Sequence, residues 1–257
     1  MDQQSEIQIL LEISLNSWPA SRNYFLNGWI IRLTAGKTSR ANSCLPVKYF
    51  GERPDLDIKV VETLYREHKI PECFQIIEAS QPSNLESILA NMSYKIIKST
   101  LVLLANVEIV PEAKIDESLI FKTSKNDAFE WIEDYKRIAN EPESRIAEYK
   151  LIIPNVPVDR RIFARILYND EIIALCMGVI EREYLLIQSL SVLESFRRKG
   201  FASILTAKLV SWANKYGVKK VFLQVQEDNV PALNLYKKLG FQQIYSYHYM
   251  VRETKEE

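Results

Sequence analysis

Cysteine and histidine are both scarce in this chain of 257 residues, with three of the first and two of the second. Cys44, Cys73 and Cys176 are widely separated, odd in number and without a Cys-x-x-Cys pair, which does not suit a disulfide framework or a structural zinc site. The two histidines, His68 and His248, are also far apart and predict no metal site. These features are typical of a protein of the reducing cytoplasm.

An excess of charge of either sign is absent, because 33 Lys and Arg balance 33 Asp and Glu. Such a chain has no overall field that attracts nucleic acid or an anionic membrane, so neither is predicted as a partner. Every apolar run falls short of the roughly 20 residues that span a bilayer. The polar, acidic N-terminus lacks the basic region of a signal peptide and predicts a helix. Any anion site must therefore be local.

Glycine is rare, with 7 residues in the chain, and one of them follows three cations in the stretch ESFRRKGFASIL. The pattern predicts a strand, a sharp turn and a helix whose first N–H groups point outward and bind an anion. Gly200 lets the backbone approach a phosphate because it has no Cβ, and Ala202 is small for the same reason. Arg197, Arg198 and Lys199 supply positive charge, although a solvated surface loop explains such a run equally well.

Alternating strand and helix patterns fill the second half of the chain. Two β-rich runs meet at Asn169-Asp170, a dipeptide that predicts a hairpin. Apolar residues at helical spacing from Phe201 to Tyr216 predict a helix that packs this face on a sheet. A second helix, with Asn229 at its N-cap, is predicted after the next strand.

The first half shows a weaker form of the same alternation of strand and helix patterns. Its patterns predict a strand at GWIIRLTAG, a helix, a strand, a second helix and a strand at STLVLLANVEIV. When the halves are aligned, Met92 falls opposite Leu239 and Tyr94 opposite Phe241. The match indicates an internal duplication, although two strand-helix-strand units also align in part by chance.

Two spaced motifs in the second half resemble the signatures of the GNAT superfamily of N-acetyltransferases. The first, R/Q-x-x-G-x-G/A, is met by Arg197, Gly200 and Ala202. The second, N-x-x-A-x-x-L-Y-x-x-x-G-F, begins 29 residues after Gly200. It is met by Asn229, Ala232, Leu235, Tyr236, Gly240 and Phe241. The resemblance extends over residues 117–253.

The resemblance implies a GNAT fold of the α/β (α+β) class, in which helices flank a mixed central sheet and two parallel strands splay apart. Together with the internal match, it predicts two tandem copies. Residues 1–114 form the predicted N-terminal, degenerate GNAT-like domain, and residues 115–257 form the predicted catalytic domain. In the alignment Leu89 falls opposite Tyr236, which is consistent with a first copy that has lost catalysis.

The resemblance also implies acetyl-CoA as the co-substrate, without a metal. In this family the pantetheine arm pairs with the first splayed strand, and the pyrophosphate binds the loop before the helix. A backbone N–H near Leu190 is expected to polarise the acetyl carbonyl. The predicted acetyl-CoA-binding residues are Leu190, Ser191, Val192, Arg197, Arg198, Lys199, Gly200, Phe201, Ala202, Ser203, Asn229 and Tyr236.

Two residues are predicted to act in catalysis. Tyr236 matches the family's tyrosine, which donates a proton to the leaving thiolate, and a phenol with an ordinary pKa near 10 suits that role. Many relatives use a glutamate early on the strand before the loop as the general base. The matching position is near Tyr184, with Glu183 beside it. Water in the role of the base, and Glu183 as an ordinary solvated hairpin residue, remain alternatives.

The predicted function is transfer of an acetyl group from acetyl-CoA to a primary amine of a small molecule or a peptide, by direct attack in a ternary complex. A non-catalytic acyl-CoA-binding sensor module is the alternative. A phosphate-binding or nucleic-acid-binding protein is disfavoured, because the net charge is +0 and no Walker-type G-K-[ST] occurs. The protein is expected to be cytoplasmic, and either a monomer or a homodimer.

Overall fold

The computed structural model of the chain describes residues 2–36 and 38–252. Met1, Lys37 and residues 253–257, which the predicted domains include, lie outside this part. Within it, the chain forms seven α-helices, eleven β-strands and two 3-10 helices. In chain order the helices and strands are α1 (Gln3–Ser17), β1 (Arg22–Leu26), β2 (Trp29–Leu33), β3 (Cys44–Leu45), α2 (Pro54–Glu67), β4 (Cys73–Ile77), α3 (Leu85–Asn91), β5 (Tyr94–Asn106), β6 (Leu119–Ser124), α4 (Ala128–Ala139), α5 (Glu143–Ile152), β7 (Arg161–Tyr168), β8 (Glu171–Glu181), β9 (Tyr184–Val192), α6 (Phe201–Asn214), β10 (Lys220–Gln226), α7 (Val230–Lys238) and β11 (Gln242–Arg252).

The chain divides into two compact units. Unit 1 contains the N-terminal residues to Ser17 and Val102–Ile244. Unit 2 contains Trp18–Leu101 and the chain from Tyr245 onward. The units therefore group α1 with the second half of the sequence and most of β11 with the first half. The predicted boundary near residue 114 concerns the two copies in the sequence, and it stays a prediction.

Five strands of unit 1 are hydrogen-bonded in the order β10-β9-β8-β7-β6. The strands from β6 to β9 pair antiparallel, and β9 and β10 pair parallel. Asn169 and Asp170 connect β7 to β8 with φ angles of +49° and +62°. A two-residue hairpin turn of type I′ requires positive φ at both positions. The predicted hairpin is confirmed.

Helices cover both faces of this sheet. On one face, Trp131 of α4 stacks on Phe163 of β7 with ring centroids 5.2 Å apart, and Phe163 is paired with Met177 of β8. On the other face, a Cβ placed on Gly178 would lie 3.3 Å from Leu209 Cδ2 of α6. Since successive residues of a strand point to opposite faces, α4 and α6 lie on opposite sides of the sheet.

The apolar face predicted for α6 is correct at its start and wrong at its end. Leu205 and Leu209 are fully buried. Tyr216, however, is 67% exposed and packs beside Trp212, with ring centroids 4.5 Å apart. The helix ends at Asn214, so Tyr216 lies beyond its last turn. Periodicity extends the face too far because it does not locate the end of a helix.

Unit 2 has strands in the order β1-β2-β3-β4-β11. β3 and β4 pair parallel through Cys44 and Phe74, and β11 pairs antiparallel with β4. The core contains Trp29, Phe74 and Tyr94, and the ring of Phe74 makes edge-on contacts with the other two at 5.8 and 5.5 Å. The sequence patterns did not separate β1 and β3, because β1 is almost fully exposed and β3 has only two residues.

Charged side chains tie the end of β11 to the interior of unit 2. Arg252 Nη1 lies 2.7 Å from Glu62 Oε1 and 4.0 Å from Glu72 Oε2. Tyr94 OH donates to Glu62 Oε1 at 3.2 Å. Both carboxylates are buried, with 5% and 2% of the residue surface exposed. Arg252 therefore compensates Glu62, which would otherwise be costly to bury, and it adds a second cation to Glu72, which pairs with Arg66 at 3.0 Å.

The two halves of the sequence repeat the same run of elements. β1-β2-β3-α2-β4-α3-β5 corresponds to β7-β8-β9-α6-β10-α7-β11. In each run the first three strands pair antiparallel, and the third and fourth pair parallel. Ser93 and Gly240, which directly follow the aligned Met92 and Leu239, both have positive φ, +70° and +87°. The backbone supports the alignment of the two copies.

Candidate active site

Two parallel strands of unit 1 separate partway along their length. β9 and β10 are paired from Tyr184 and Lys220 to Ile187 and Leu223. Both strands then continue beyond the paired register, β9 as far as Val192. The expected splay is present. It leaves an edge of β9 to which an extended ligand can add as a further strand.

A bulge bends β9 where the splay opens. The pairing of β8 with β9 shifts register between Leu175 and Met177. Ser189 and Leu190 of β9 therefore both lie opposite the single Cys176 of β8, and Ser189 has a φ of +52°. A bulge turns backbone groups out of the ladder. This bulge includes Leu190, the residue whose N–H is expected to polarise the acetyl carbonyl.

The loop after β9 ends in an open helix N-terminus. Gly200 is the N-cap of α6 with a φ of +88°, and its carbonyl accepts from Ile204 N at 3.0 Å. The N–H groups of the first turn, from Phe201 to Ser203, precede this bond and lack intrahelical partners. Apart from Gly200 and its two neighbours in the chain, no described residue has an atom within 4 Å of a Cβ placed on Gly200. The geometry suits a bound anion.

Three cations surround this N-terminus. Arg197 Nε donates to Val192 O at 3.0 Å, which ties the loop to the end of β9. Lys199 Nζ lies 5.1 Å from the ring centroid of Phe196, a cation–π contact. Arg198 is exposed and has a φ of +61°. The loop thus holds its positive charges next to the open N–H groups.

The corresponding loop of the first half is filled by its own side chains. In the first turn of α2, Asp57 Oδ2 accepts from Tyr49 OH at 2.7 Å and from Asn27 Nδ2 at 3.0 Å. A Cβ placed on Gly51 would lie 2.6 Å from Tyr49 OH and 2.7 Å from Asp57 Oδ2. The space that is open at Gly200 is therefore occupied by an acid here, and the first half does not repeat the anion site.

Helix α7 carries the predicted proton donor. Asn229 Oδ1 accepts from Ala232 N at 3.2 Å, which confirms Asn229 as the N-cap. Tyr236 is 8% exposed and packs edge-on against Phe241, with ring centroids 5.5 Å apart. Burial first, and then the neighbouring Cys176, raise the pKa of Tyr236. Since Cys176 is the residue opposite the bulge, the phenol lies beside the splay and keeps its proton at neutral pH.

Glu183 stands apart from the other predicted site residues. It is exposed in the turn between β8 and β9, where its carbonyl accepts from Lys219 N at 2.8 Å and Lys220 N at 3.1 Å. This is the closed end of the strand pair, and Ser189 lies about 20 Å further along β9 at the usual rise per residue. The role of general base for Glu183 stays a prediction that this placement does not support.

Tertiary structure brings two tyrosines to the bulge that the sequence did not single out. Tyr149 OH of α5 is hydrogen-bonded to Ser189 Oγ at 3.1 Å. The ring of Tyr149 stacks on Tyr135 of α4 with centroids 4.9 Å apart, and Tyr135 OH donates to Glu141 Oε1 at 3.4 Å. Both tyrosines occupy apolar helical positions, so the sequence alone places them in an ordinary core.

The N-terminal helix contacts the strands where they diverge. Gln188 Nε2 of β9 donates to Ser17 O at 3.2 Å, and Gln224 Nε2 of β10 donates to Ser14 Oγ at 2.8 Å. These two glutamines directly follow the last paired residues, Ile187 and Leu223. Helix α1 therefore packs at the start of the splay, a role that nothing in its sequence indicates.

Among residues 2–36 and 38–252, no helix combines the length and the apolar character needed to cross a bilayer. Within the same residues, no group of three or more His, Cys, Asp or Glu is placed to hold a metal ion. All three cysteines are free and buried.

Sequence comparison places the second half among acetyltransferases. Residues 125–241 match the sequence model of the Acetyltransferase (GNAT) family. The uncharacterized N-acetyltransferase YobR of Bacillus subtilis (strain 168) is 28% identical over 96% of this chain and 99% of its own length. An N-alpha-acetyltransferase of Saccharolobus solfataricus is 42% identical over 22% of this chain and 34% of its own. The [ribosomal protein bS18]-alanine N-acetyltransferase of Haemophilus influenzae is 30% identical over 34% and 58%.

Solved structures share the fold across nearly the whole chain. A GCN5-related N-acetyltransferase from Kribbella flavida superposes with a TM-score of 0.72, 13% identity and coverage of 98% of this chain and 95% of the other. A tandem GNAT protein from the clavulanic acid biosynthesis pathway superposes with a TM-score of 0.67, 11% identity and coverage of 95% and 88%. These likenesses show that the fold is that of GNAT proteins, some of them tandem.

Proposed function

We propose that this chain, whose residues 125–241 match the Acetyltransferase (GNAT) family, transfers an acetyl group from acetyl-CoA to a primary amine. The observation that carries the proposal is the open end of β9 and β10. There the open N-terminus of α6 and the buried phenol of Tyr236 border the same splay. This is the arrangement expected for holding a thioester and protonating its sulfur.

The residues of the splay fit acetyl-CoA along its length. In the proposed complex, the backbone of Leu190, Ser191 and Val192 pairs with the amides of the pantetheine arm. The N–H groups at the start of α6 bind the pyrophosphate, with Arg197, Arg198 and Lys199 beside it. The open space in front of Gly200 supports this assignment, because a phosphate can approach the backbone there. Asn229 caps α7, the helix that we place on the other side of the proposed acetyl-CoA site.

The proposed reaction is direct attack in a ternary complex. The amine nitrogen forms a bond with the acetyl carbon, and the bond between carbon and sulfur breaks. A backbone N–H near Leu190 stabilises the negative charge that develops on the acetyl oxygen. Tyr236 donates its proton to the departing sulfur. Burial raises the pKa of Tyr236, so the phenol carries its proton at physiological pH and has it available for the sulfur.

We propose a peptide amine as the first acceptor to test, with a small-molecule amine as the second. The support comes from the relatives that are named as N-alpha-acetyltransferases and as a ribosomal protein alanine N-acetyltransferase. Their matches cover 22% and 34% of this chain. The proposed location of the reaction is the cytoplasm, where acetyl-CoA and reduced cysteines are both found.

The test is CoA release in the presence of acetyl-CoA and a panel of amines. The panel contains peptides with an N-terminal alanine or serine, a lysine peptide and small diamines. Tyr236→Phe is expected to lower turnover by about 100-fold or more, the usual contribution of a general acid. The control is Tyr216→Phe, because Tyr216 is 67% exposed and carries no role in the proposal.

Two outcomes would contradict parts of this proposal. Turnover of Tyr236→Phe within about threefold of wild type, against the roughly 100-fold loss expected, would remove the proton-donor role. Calorimetric binding of acetyl-CoA without CoA release for any amine would favour the acyl-CoA-binding sensor. The position of Glu183, away from the splay, is the observation that keeps the sensor as a second candidate.

We also propose that residues 1–114 are a degenerate copy that binds no acyl donor. Leu89 stands at the position of Tyr236, and a phenol is therefore missing from its α3. Asp57 fills the space at the start of α2, which places a negative charge where the second copy has an open anion site. Acetyl-CoA is accordingly expected to bind with a stoichiometry of one per chain.

A further inference from the structure

A line of hydrogen-bonded hydroxyl groups leads from the bulge of β9 to the surface of unit 1. Ser189 Oγ lies 3.1 Å from Tyr149 OH. The hydroxyl groups of Tyr149 and Tyr135 are hydrogen-bonded to each other, and their rings stack at an interplanar angle of 14°. Tyr135 OH then donates to Glu141 Oε1 at 3.4 Å. The two phenols are buried and Glu141 is partly exposed, so the line connects the splay with solvent.

This line reaches the bulge from the face opposite to Tyr236. Tyr135 stacks on Trp131, which covers the face of the sheet that carries Phe163. Tyr236 lies near Cys176, which points to the other face together with Gly178. A thioester held in the splay would thus have a proton donor on one side. It would have a chain of proton acceptors on the other.

We propose that Ser189, Tyr149, Tyr135 and Glu141 form a proton relay that removes the proton of the attacking nucleophile. The inference rests on the proposed function and assigns the general base that the sequence left open. Ser189 is the residue that contacts the nucleophile, and the two tyrosines act through it. Glu141 is the final proton acceptor.

The transfer balances at every atom. As the nitrogen lone pair forms the bond to the acetyl carbon, the N–H proton moves to Ser189 Oγ. The proton of Ser189 moves to the oxygen of Tyr149, that of Tyr149 to the oxygen of Tyr135, and that of Tyr135 to the Glu141 carboxylate. The bond between carbon and sulfur breaks, and Tyr236 protonates the sulfur. Solvent then reprotonates Tyr236 and takes the proton from Glu141.

The residues around this line of hydroxyl groups favour concerted movement of the protons along it. Burial raises the pKa of Tyr135, which disfavours a lasting phenolate there. The charged groups that face the line are Arg145, whose Cζ lies 5.5 Å from the ring centroid of Tyr149, and Glu148, which pairs with Arg145 at 3.2 Å. The guanidinium offsets negative charge on the relay during transfer. On β9, the residue that precedes Ser189 is the uncharged Gln188.

The experiment compares three variants in the CoA-release assay, with acetyl-CoA and an N-terminal alanine peptide as probes. Tyr149→Phe and Glu141→Gln are each expected to lower kcat by about 100-fold, with KM for acetyl-CoA unchanged. The double variant is expected to be no slower than either single one, because both changes break the same line. The loss of kcat should become smaller as the pH rises, because hydroxide from solvent can then accept the N–H proton of the attacking nitrogen in place of the relay. A purely structural role would not produce that pH profile.

The control is Tyr94→Phe, which removes a buried phenol that donates to a carboxylate in unit 2. Its kcat should equal that of the wild type. If Tyr149→Phe fails to fold, Glu141→Gln carries the same test, because Glu141 is partly exposed. The assay is repeated without amine, so that enzyme-dependent hydrolysis of acetyl-CoA reports on attack by water.

The outcomes separate this inference from the proposed function. If the wild type releases no CoA with any amine or with water, the proposed function is wrong and the relay falls with it. If the wild type releases CoA and both single variants match it within about threefold, the relay alone is wrong. The relay is also wrong if the kcat losses of Tyr149→Phe and Glu141→Gln add in the double variant, because additive losses indicate independent roles.

Discussion

Two glycines of unit 1 provide a matched test of the anion site. Gly200 and Gly217 have φ angles of +88° and +86°. Apart from their neighbours in the chain, no described residue has an atom within 4 Å of a Cβ placed on either glycine. A side chain at either position costs about 1–2 kcal/mol of folding free energy, because an L-residue is strained in this region. Gly200→Glu and Gly217→Glu should therefore lower the melting temperature by similar amounts.

Binding of acetyl-CoA should distinguish the two variants. The carboxylate of Gly200→Glu would stand at the N-terminus of α6, where the pyrophosphate is expected. Two like charges about 4 Å apart repel by about 1 kcal/mol in water and by about 4 kcal/mol at the effective dielectric constant near a protein surface. Gly200 is exposed, so we take the lower value. Two phosphate charges then predict a Kd about 30-fold higher than that of the wild type.

Isothermal titration calorimetry with acetyl-CoA measures this effect directly. Gly217→Glu should bind as the wild type does, and the loss in Gly200→Glu should decrease at high salt, which screens exposed charges. Gly200→Ala, which adds no charge, should weaken binding less than Gly200→Glu does. If the two glutamate variants bind acetyl-CoA equally well, the N-terminus of α6 is not the pyrophosphate site.

Asn229→Ala should destabilise the protein by about 1 kcal/mol through loss of the N-cap of α7, and a calorimetric scan that shows no change would contradict that cap. Arg252→Met should cost about 2 kcal/mol, because it removes the cation that pairs with the buried Glu62, whereas Glu72 keeps its ion pair with Arg66. This cost is below the roughly 3–5 kcal/mol of a fully buried pair because Arg252 is half-exposed, and urea unfolding measures it. Burial raises the pKa of Tyr184 to about 12, so its contribution to stability is complete below about pH 10 and is lost as the pH rises towards that folded value. Absorbance of tyrosinate against pH should show Tyr184 ionising only in that alkaline range, and ionisation of all tyrosines near pH 10 in the folded protein would refute the burial argument.

Local sequence patterns were sufficient to predict most helices and strands of unit 1. The turn at Asn169-Asp170 was found because both residues tolerate positive φ, and α7 was found through its cap at Asn229. These signals lie within a few residues of the element that they define. The end of α6 and the short β3 were missed, because packing and strand pairing, which periodicity does not report, set their limits.

The sequence was also sufficient to predict the part of the candidate site that is proposed to bind acetyl-CoA. The loop that ends at Gly200 and the helix that carries Tyr236 are each continuous stretches, and their chemistry depends on neighbours in the chain. In the structure Gly200 starts α6 with a positive φ, and Tyr236 is buried on α7 near Cys176. Their roles in binding and catalysis stay predictions. Counting along β9 predicts Glu183 as the general base. A count of residues does not report that Glu183 lies at the closed end of the β9–β10 strand pair.

The chain's sequence was enough to predict the splayed fold and the loop that ends at Gly200, because short motifs and local backbone geometry encode them. The acceptor side depended on contacts across the fold. Tyr149 meets Ser189 from 40 residues away, and Gln224 meets Ser14 from 210 residues away. Such pairs form only when helices pack on a sheet at a particular register. Apolar periodicity reports that a helix is buried but not which hydroxyl its tyrosine reaches.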